Sequence, residues 1–95
     1  MKILVSLNVT SGPQPVKELE ADLVFYGSDG DGSFYYHRYG RVDGQSRFDR
    51  VGGGHYGAGR WSHVEETVPA AGDLFSVWRS VQNKVVQDPE KIPRL

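Results

Sequence analysis

The sequence predicts an α+β fold, in which a small and mostly antiparallel β-sheet of four to five strands packs against one C-terminal helix. Several short segments alternate apolar and polar residues between clusters of Gly, Pro and Asp, which is typical of strands joined by turns. One later segment repeats its apolar residues at intervals of three and four, which is typical of a helix. An all-β fold is the alternative, because the Ser, Val and Trp residues of that later segment are mediocre helix formers.

Two segments in the first third of the chain are predicted strands. Residues 2–10 alternate in polarity except at Leu4, and Pro13 and Pro15 follow, where the missing N–H groups would end a ladder. Residues 16–26 also alternate, although part of this segment fits a helical spacing. We predict a single strand over 16–26 because its Leu-Val-Phe-Tyr ending has high β-propensity.

The aromatic segment 34–42 is the next predicted strand, and it follows a turn at residues 28–32. Asp43-Gly44 is the strongest hairpin signal in the chain, because these residues accept the positive φ angles of a type I′ turn. The chain would then return over residues 45–51. A two-residue turn pairs Val42 with Gln45, Arg41 with Ser46, Tyr39 with Phe48 and Arg38 with Asp49.

The glycine triplet 52–54 is predicted to begin a loop that runs to residue 59, with a bulged strand connection as the alternative. A phosphate-binding loop would need a helix start or a Gly-Lys-Ser/Thr step after the glycines. Neither is present, because residues 60–68 have the pattern of another strand.

Residues 74–86 carry the helical pattern. Asp73 is expected to cap the start of this helix, and Asp88-Pro89 is expected to end it. A strand over residues 74–81 stays open as the alternative. The apolar stripe consists of Leu74, Val77, Trp78, Val81 and Val85.

Length and composition predict a single domain over residues 1–95. A chain of 95 residues can bury one core and leaves no room for a second domain. Its formal net charge of −1 provides no overall attraction for polyanions. The absence of cysteine excludes disulfides, thiolate catalysis and Cys-ligated metals, and it fits a reducing compartment. No apolar run is long enough to span a membrane, so we expect a cytoplasmic protein without membrane contact.

The residues that could carry chemistry do not form a recognisable constellation. His37, His55 and His63 lack the i, i+2 or i, i+4 spacing that would bring two metal ligands together. Acidic residues begin a calcium-type loop at Asp29, but its sixth position is Phe34 where glycine is required. No nucleophile elbow occurs. We therefore predict a protein that is not an enzyme and has no metal and no cofactor.

Segment 34–63 is the predicted binding surface. It holds five arginines against two aspartates, a net charge of +3, and seven of the eleven aromatic residues. Arginine with Tyr and Trp is typical of protein-binding hot spots, and also of platforms on which single-stranded nucleic acid stacks. Alternation leaves two assignments open: either Tyr35 and Tyr39, or Phe34 and Tyr36, face outward.

We predict a non-catalytic module that binds another protein as an inhibitor, adaptor or assembly factor. Single-stranded nucleic acid is the alternative partner, and a small metal-dependent or hydrolytic enzyme is a third possibility. Self-association stays open. The predicted binding residues are Tyr35, Tyr36, Arg38, Tyr39, Arg41, Arg47, Arg50, Tyr56, Arg60 and Trp61.

Overall fold

The computed structural model describes residues 1–43 and 47–88, and the strands in this part of the chain form two antiparallel sheets. The first sheet has the order β2-β1-β6 and the second sheet has the order β3-β4-β5. The predicted α+β class is confirmed, although six strands are described and they lie in two sheets. The elements are β1 (Lys2–Leu7), β2 (Val16–Glu20), β3 (Leu23–Ser28), β4 (Phe34–Arg41), β5 (Phe48–Tyr56), β6 (Trp61–Val68) and α1 (Leu74–Gln87).

β1 is the central strand of the first sheet. The predicted alternation is confirmed, because Ile3 and Val5 are fully buried while Leu4 on the opposite face is half-buried. The strand ends at Leu7 instead of residue 10. Beyond it, the Asn8 backbone N–H donates to the Arg60 carbonyl at 2.9 Å and the Asn8 side-chain amide donates to the Gly59 carbonyl at 2.9 Å, so residue 8 is still bonded to the β5–β6 connection.

Residues 16–26 form two strands, so the prediction of a single strand is wrong. β2 pairs with β1 in the first sheet, whereas β3 pairs with β4 in the second sheet. The chain passes between the sheets at Ala21 and Asp22, where the Ala21 N–H donates to the Met1 carbonyl at 3.2 Å. Alternation continues through this corner, because Leu19 and Leu23 are both buried, but in different cores.

The second sheet is the middle layer of the molecule, and both of its faces are covered. One face packs against the first sheet and the other packs against α1. The core between the sheets contains Ile3, Val5, Leu19, Val24 and Phe34. The core beneath the helix contains Leu23, Phe25, Tyr39, Phe48, Ala70, Val81 and Val85.

α1 confirms the predicted helix, and its apolar stripe lies against the second sheet. The helix ends at Gln87, next to Asp88, as predicted. Asp73 occupies the N-cap position but makes no side-chain capping bond. Its carboxylate instead lies 3.7 Å from Arg41 Nη2. No helix in the described part of the chain is long and apolar enough to cross a membrane.

Side chains of α1 also cover the outer edge of β3. The Trp78 indole N–H donates to the Val24 carbonyl at 2.6 Å. The Gln82 amide bonds the Tyr26 backbone twice, because its Oε1 accepts from the Tyr26 N–H at 3.2 Å and its Nε2 donates to the Tyr26 carbonyl. The helix thus supplies the hydrogen bonds that a further strand would otherwise supply.

Candidate binding surface

The β4–β5 hairpin is confirmed, but its predicted register is wrong. The Val42 N–H donates to the Arg47 carbonyl at 3.1 Å, so the connection between them has four residues instead of two. Residues 44–46, including the predicted turn glycine, lie outside the described residues. The longer connection moves every partner, so the pairs are Arg41 with Phe48, Gly40 with Asp49, Tyr39 with Arg50 and Arg38 with Gly52.

The glycine triplet lies inside β5, so the prediction of a loop from residue 52 is wrong. The alternative of a bulged strand describes this region better, because the register shifts between Arg38 and Tyr39 and leaves Val51 as the extra residue. Close packing explains the glycines. A Cβ on Gly52 would collide with the Arg38 guanidinium, and one on Gly54 would lie 2.6 Å from the Tyr36 hydroxyl oxygen.

Most of the predicted aromatic surface is packed between the two sheets. Phe34 is buried, and its ring centroid lies 5.2 Å from that of Trp61 and 6.2 Å from those of Tyr36 and Tyr56. The Trp61 indole N–H donates to the Gly32 carbonyl at 2.8 Å. The rings join the two sheets, with Phe34 buried and Tyr36, Tyr56 and Trp61 half-buried around it.

Tyr39 is a core residue, so its predicted place on an outward binding face is wrong. Its side chain is only 3% exposed, and its ring meets Phe25 edge-on at a centroid distance of 5.7 Å. The cause is α1, which covers the face of the second sheet that carries Tyr39. Tyr35 lies on the same face but remains half-exposed, with its ring 4.8 Å from that of His55.

The predicted arginines fall into three groups. Arg41 and Arg47 have acidic partners, because Arg41 lies near Asp73 and Arg47 Nε lies 3.8 Å from Asp49 Oδ1. Arg60 lies apart from the hairpin, in the β5–β6 connection. Arg38 and Arg50 make no ion pair with the described residues.

Arg38 and Arg50 lie on opposite faces of the glycine triplet. The Arg38 guanidinium covers Gly52 on the face toward the first sheet, where its Nη1 is 3.4 Å from the Glu20 carbonyl. Its Nε is buried and has no hydrogen-bond partner among the described residues. The Arg50 guanidinium covers Gly53 on the face toward α1. Two positive charges therefore flank one short stretch of backbone.

His37 is the titratable group most affected by this arrangement. Burial lowers its pKa from the ordinary value of 6.5, and the positive charge of Arg50 lowers it further, against an opposing interaction with the Val86 backbone. The ring is therefore neutral at physiological pH. This behaviour follows from its position beneath the end of α1 and needs no catalytic partner.

The outer edge of β5 is the feature that sequence analysis missed. The Arg47 carbonyl bonds β4, so strand alternation turns the backbone groups of Phe48 and Arg50 away from β4. Beyond the bulge, the backbone groups of Gly53 and His55 also point outward. The Tyr26 backbone bonds α1 on the side away from β4, so the backbone of its partner Tyr36 points toward β5. Gly54 lies opposite Tyr36 and therefore bonds β4, which turns its neighbours Gly53 and His55 away from β4. None of these outward groups has a hydrogen-bond partner among residues 1–43 and 47–88.

Neither a metal site nor a similarity to known proteins gives further information about this surface. Within the described ranges, no cluster of three or more His, Asp or Glu side chains could hold a metal ion. Comparisons with protein-family models, curated proteins and solved structures find no match for the chain.

Proposed function

We propose that this chain is a non-catalytic module that binds another protein through the β4–β5 hairpin and acts as an inhibitor, adaptor or assembly factor. The observation that carries the proposal is the pair of guanidinium groups on either side of the glycine triplet. Arg38 and Arg50 both lack an acidic partner among the described residues, and the Arg38 Nε is already desolvated. Partly desolvated arginine beside tyrosine is a frequent composition of binding hot spots.

The packing of the aromatic rings favours protein over single-stranded nucleic acid. Binding of single strands relies on successive bases stacking on open rings. Tyr36, Tyr56 and Trp61 are partly buried against the core between the sheets, and Tyr39 is buried beneath α1. Ring–ring contacts already occupy part of these aromatic faces, whereas the guanidinium groups and the β5 backbone remain available.

The proposal is tested with matched baits in an extract of the native host. The wild-type protein, an Arg50→Gln variant and an Arg79→Gln variant are immobilised, and the extract is treated with nuclease. Arg79 is an exposed arginine of α1, so its variant loses the same charge at a different place. We expect a protein that wild type and Arg79→Gln retain and Arg50→Gln loses. Equal retention by all three baits would contradict a role for the hairpin.

A salt titration separates the two kinds of partner. Binding of a 12-nucleotide single strand would weaken steeply with salt, because each neutralised phosphate releases a counterion. A protein interface that combines two arginines with packed backbone should lose much less affinity. If a labelled oligonucleotide binds the wild type at physiological salt and Arg50→Gln abolishes this binding, the nucleic-acid alternative replaces the proposal.

A further inference from the structure

We infer that the outer edge of β5 binds an extended acidic segment of the partner protein as an added β-strand. This inference rests on the proposed function and names the form and charge of the partner. In strand addition, backbone hydrogen bonds supply the affinity and the side chains beside the strand supply the specificity. β5 provides both elements, an unpaired edge and two flanking positive charges.

The two edges of the second sheet differ in how they are covered. At β3, Trp78 and Gln82 bond the outward backbone groups of Val24 and Tyr26. At β5, the outward groups of Arg50, Gly53 and His55 have no such partner in the described part of the chain. An uncovered edge is a template for another strand. β5 is also long, with nine residues from Phe48 to Tyr56.

The glycine triplet makes this edge accessible. Gly52, Gly53 and Gly54 have no side chains of their own, so an incoming strand would meet bare backbone between two guanidinium groups. The Arg38 group lies on one face and the Arg50 group on the other. Side chains of an added strand alternate between the same two faces. Neighbouring acidic residues of such a strand could therefore each meet one arginine.

Charge selects an acidic partner over a second copy of this chain. Pairing of two β5 edges about a twofold axis would bring the Arg38 and Arg50 charges of both copies to one shared edge, which like-charge repulsion disfavours. Asp49, the acidic residue of β5, is already near Arg47. The positive charge at this edge therefore comes from Arg38 and Arg50, which make no ion pair with the described residues.

The first experiment identifies the preferred peptide. A displayed library of random 12-residue peptides is selected on the wild-type protein, and a synthetic, labelled copy of the enriched sequence is titrated by fluorescence anisotropy. We expect Asp and Glu among β-branched residues, and binding about tenfold weaker for Arg50→Gln than for Arg79→Gln. Failure to enrich any peptide, or enrichment of basic or purely apolar peptides, would overturn the inference.

The second experiment tests the backbone contact with the matched variants His55→Pro and His55→Ala. Both lose the imidazole ring, but only proline removes the outward N–H, and its ring occupies the position of an added strand. The ladder to β4 does not use this N–H, so both variants should keep the fold, which circular dichroism checks. We expect His55→Pro to bind the peptide at least about tenfold more weakly than His55→Ala.

Amide hydrogen exchange gives a readout that needs no variant. In the free protein, the outward amides of Gly53 and His55 should exchange quickly, whereas those of Gly52 and Gly54 should be protected by β4. Addition of the peptide should protect Gly53 and His55. If Arg50→Gln weakens binding but these two amides stay unprotected, the hairpin binds protein without strand addition, and only the inference fails.

Light scattering distinguishes the remaining occupant. A monomer at micromolar concentrations is expected in the absence of peptide. A dimer that His55→Pro abolishes and His55→Ala preserves would show that a second copy occupies the edge, and would overturn the assignment of an acidic partner.

Discussion

Replacement of Gln82 by methionine should destabilise the protein by about 2 kcal/mol, because it removes both hydrogen bonds that cover the Tyr26 backbone. Methionine has a similar length and a good helix propensity, so the helix itself should be unaffected. An unpaired buried backbone group costs about 1–3 kcal/mol, which would give about 2–6 kcal/mol for two groups. Tyr26 and Gln82 are only half-buried, so water can reach these groups in part and the lower end applies.

Urea unfolding followed by tryptophan fluorescence measures this loss, since Trp78 lies one turn from Gln82. For a domain of this size, about 2 kcal/mol corresponds to a fall in Tm of roughly 8–16 °C. Asn83→Met is the matched control, because Asn83 is exposed and a surface substitution should change stability by less than about 0.5 kcal/mol. Equal unfolding midpoints for the two variants would refute the proposed covering of β3.

Gln82→Glu adds a test by pH. The ionised carboxylate can accept from the Tyr26 N–H but cannot donate to the Tyr26 carbonyl, whereas the protonated carboxyl can do both. Folding should therefore raise the pKa of the introduced carboxyl. The extra stability is present below the ordinary pKa and is lost as the pH rises through the folded-state value. Relative to wild type, this variant should be least stable near neutral pH.

Three further substitutions test the site. Tyr39→Ala should lower the free energy of unfolding in urea by about 3–5 kcal/mol, as expected of a core aromatic residue. A loss below about 1 kcal/mol would indicate that Tyr39 lies on the surface. Gly54→Ala should reduce the folding stability by about 1–3 kcal/mol, because its Cβ would collide with Tyr36. Gly30→Ala is the control and should be nearly neutral, since a Cβ there meets no atom within 4 Å. Equal losses of stability would contradict the packing of Tyr36 over β5. Folding lowers the pKa of His37, so the unfolded chain takes up a proton first and the free energy of unfolding should fall as the pH drops below about 6.5. His37→Gln should reduce this fall, and an unchanged pH profile would contradict the burial of the ring.

Local periodicity predicted those elements that one buried face defines. The stripe from Leu74 to Val85 and the alternation of Ile3 and Val5 both correspond to one covered side. Residues 16–26 show the limit of this reasoning. The chain passes from β2 in the first sheet to β3 in the second sheet at Ala21, yet the apolar and polar residues keep alternating through the corner. Periodicity reports which residues share a face and says nothing about which sheet they join.

The candidate site depended on tertiary contacts that no local pattern contains. Alternation divided the aromatic residues of β4 correctly into two faces, but layers cover the second sheet on both sides, so Phe34 and Tyr39 are both buried. The glycine triplet resembles a loop in sequence, and only the guanidinium groups above it explain why a strand requires glycine there. An Arg-Val-Gly-Gly-Gly-His run beside an aromatic strand would have been the available signal.

β1 has two strand neighbours that lie at very different distances along the chain. Lys2 pairs with Glu20 in β2 and with Val68 in β6, whereas the second sheet consists of two successive hairpins. Closing the longer segment costs more chain entropy, so we expect the second sheet to form early and β6 to join β1 late. Val64→Ala, at the buried side of β6, should then accelerate unfolding while leaving the folding rate nearly unchanged in stopped-flow measurements. The lifetime of the folded state would thus depend on the last strand to pair.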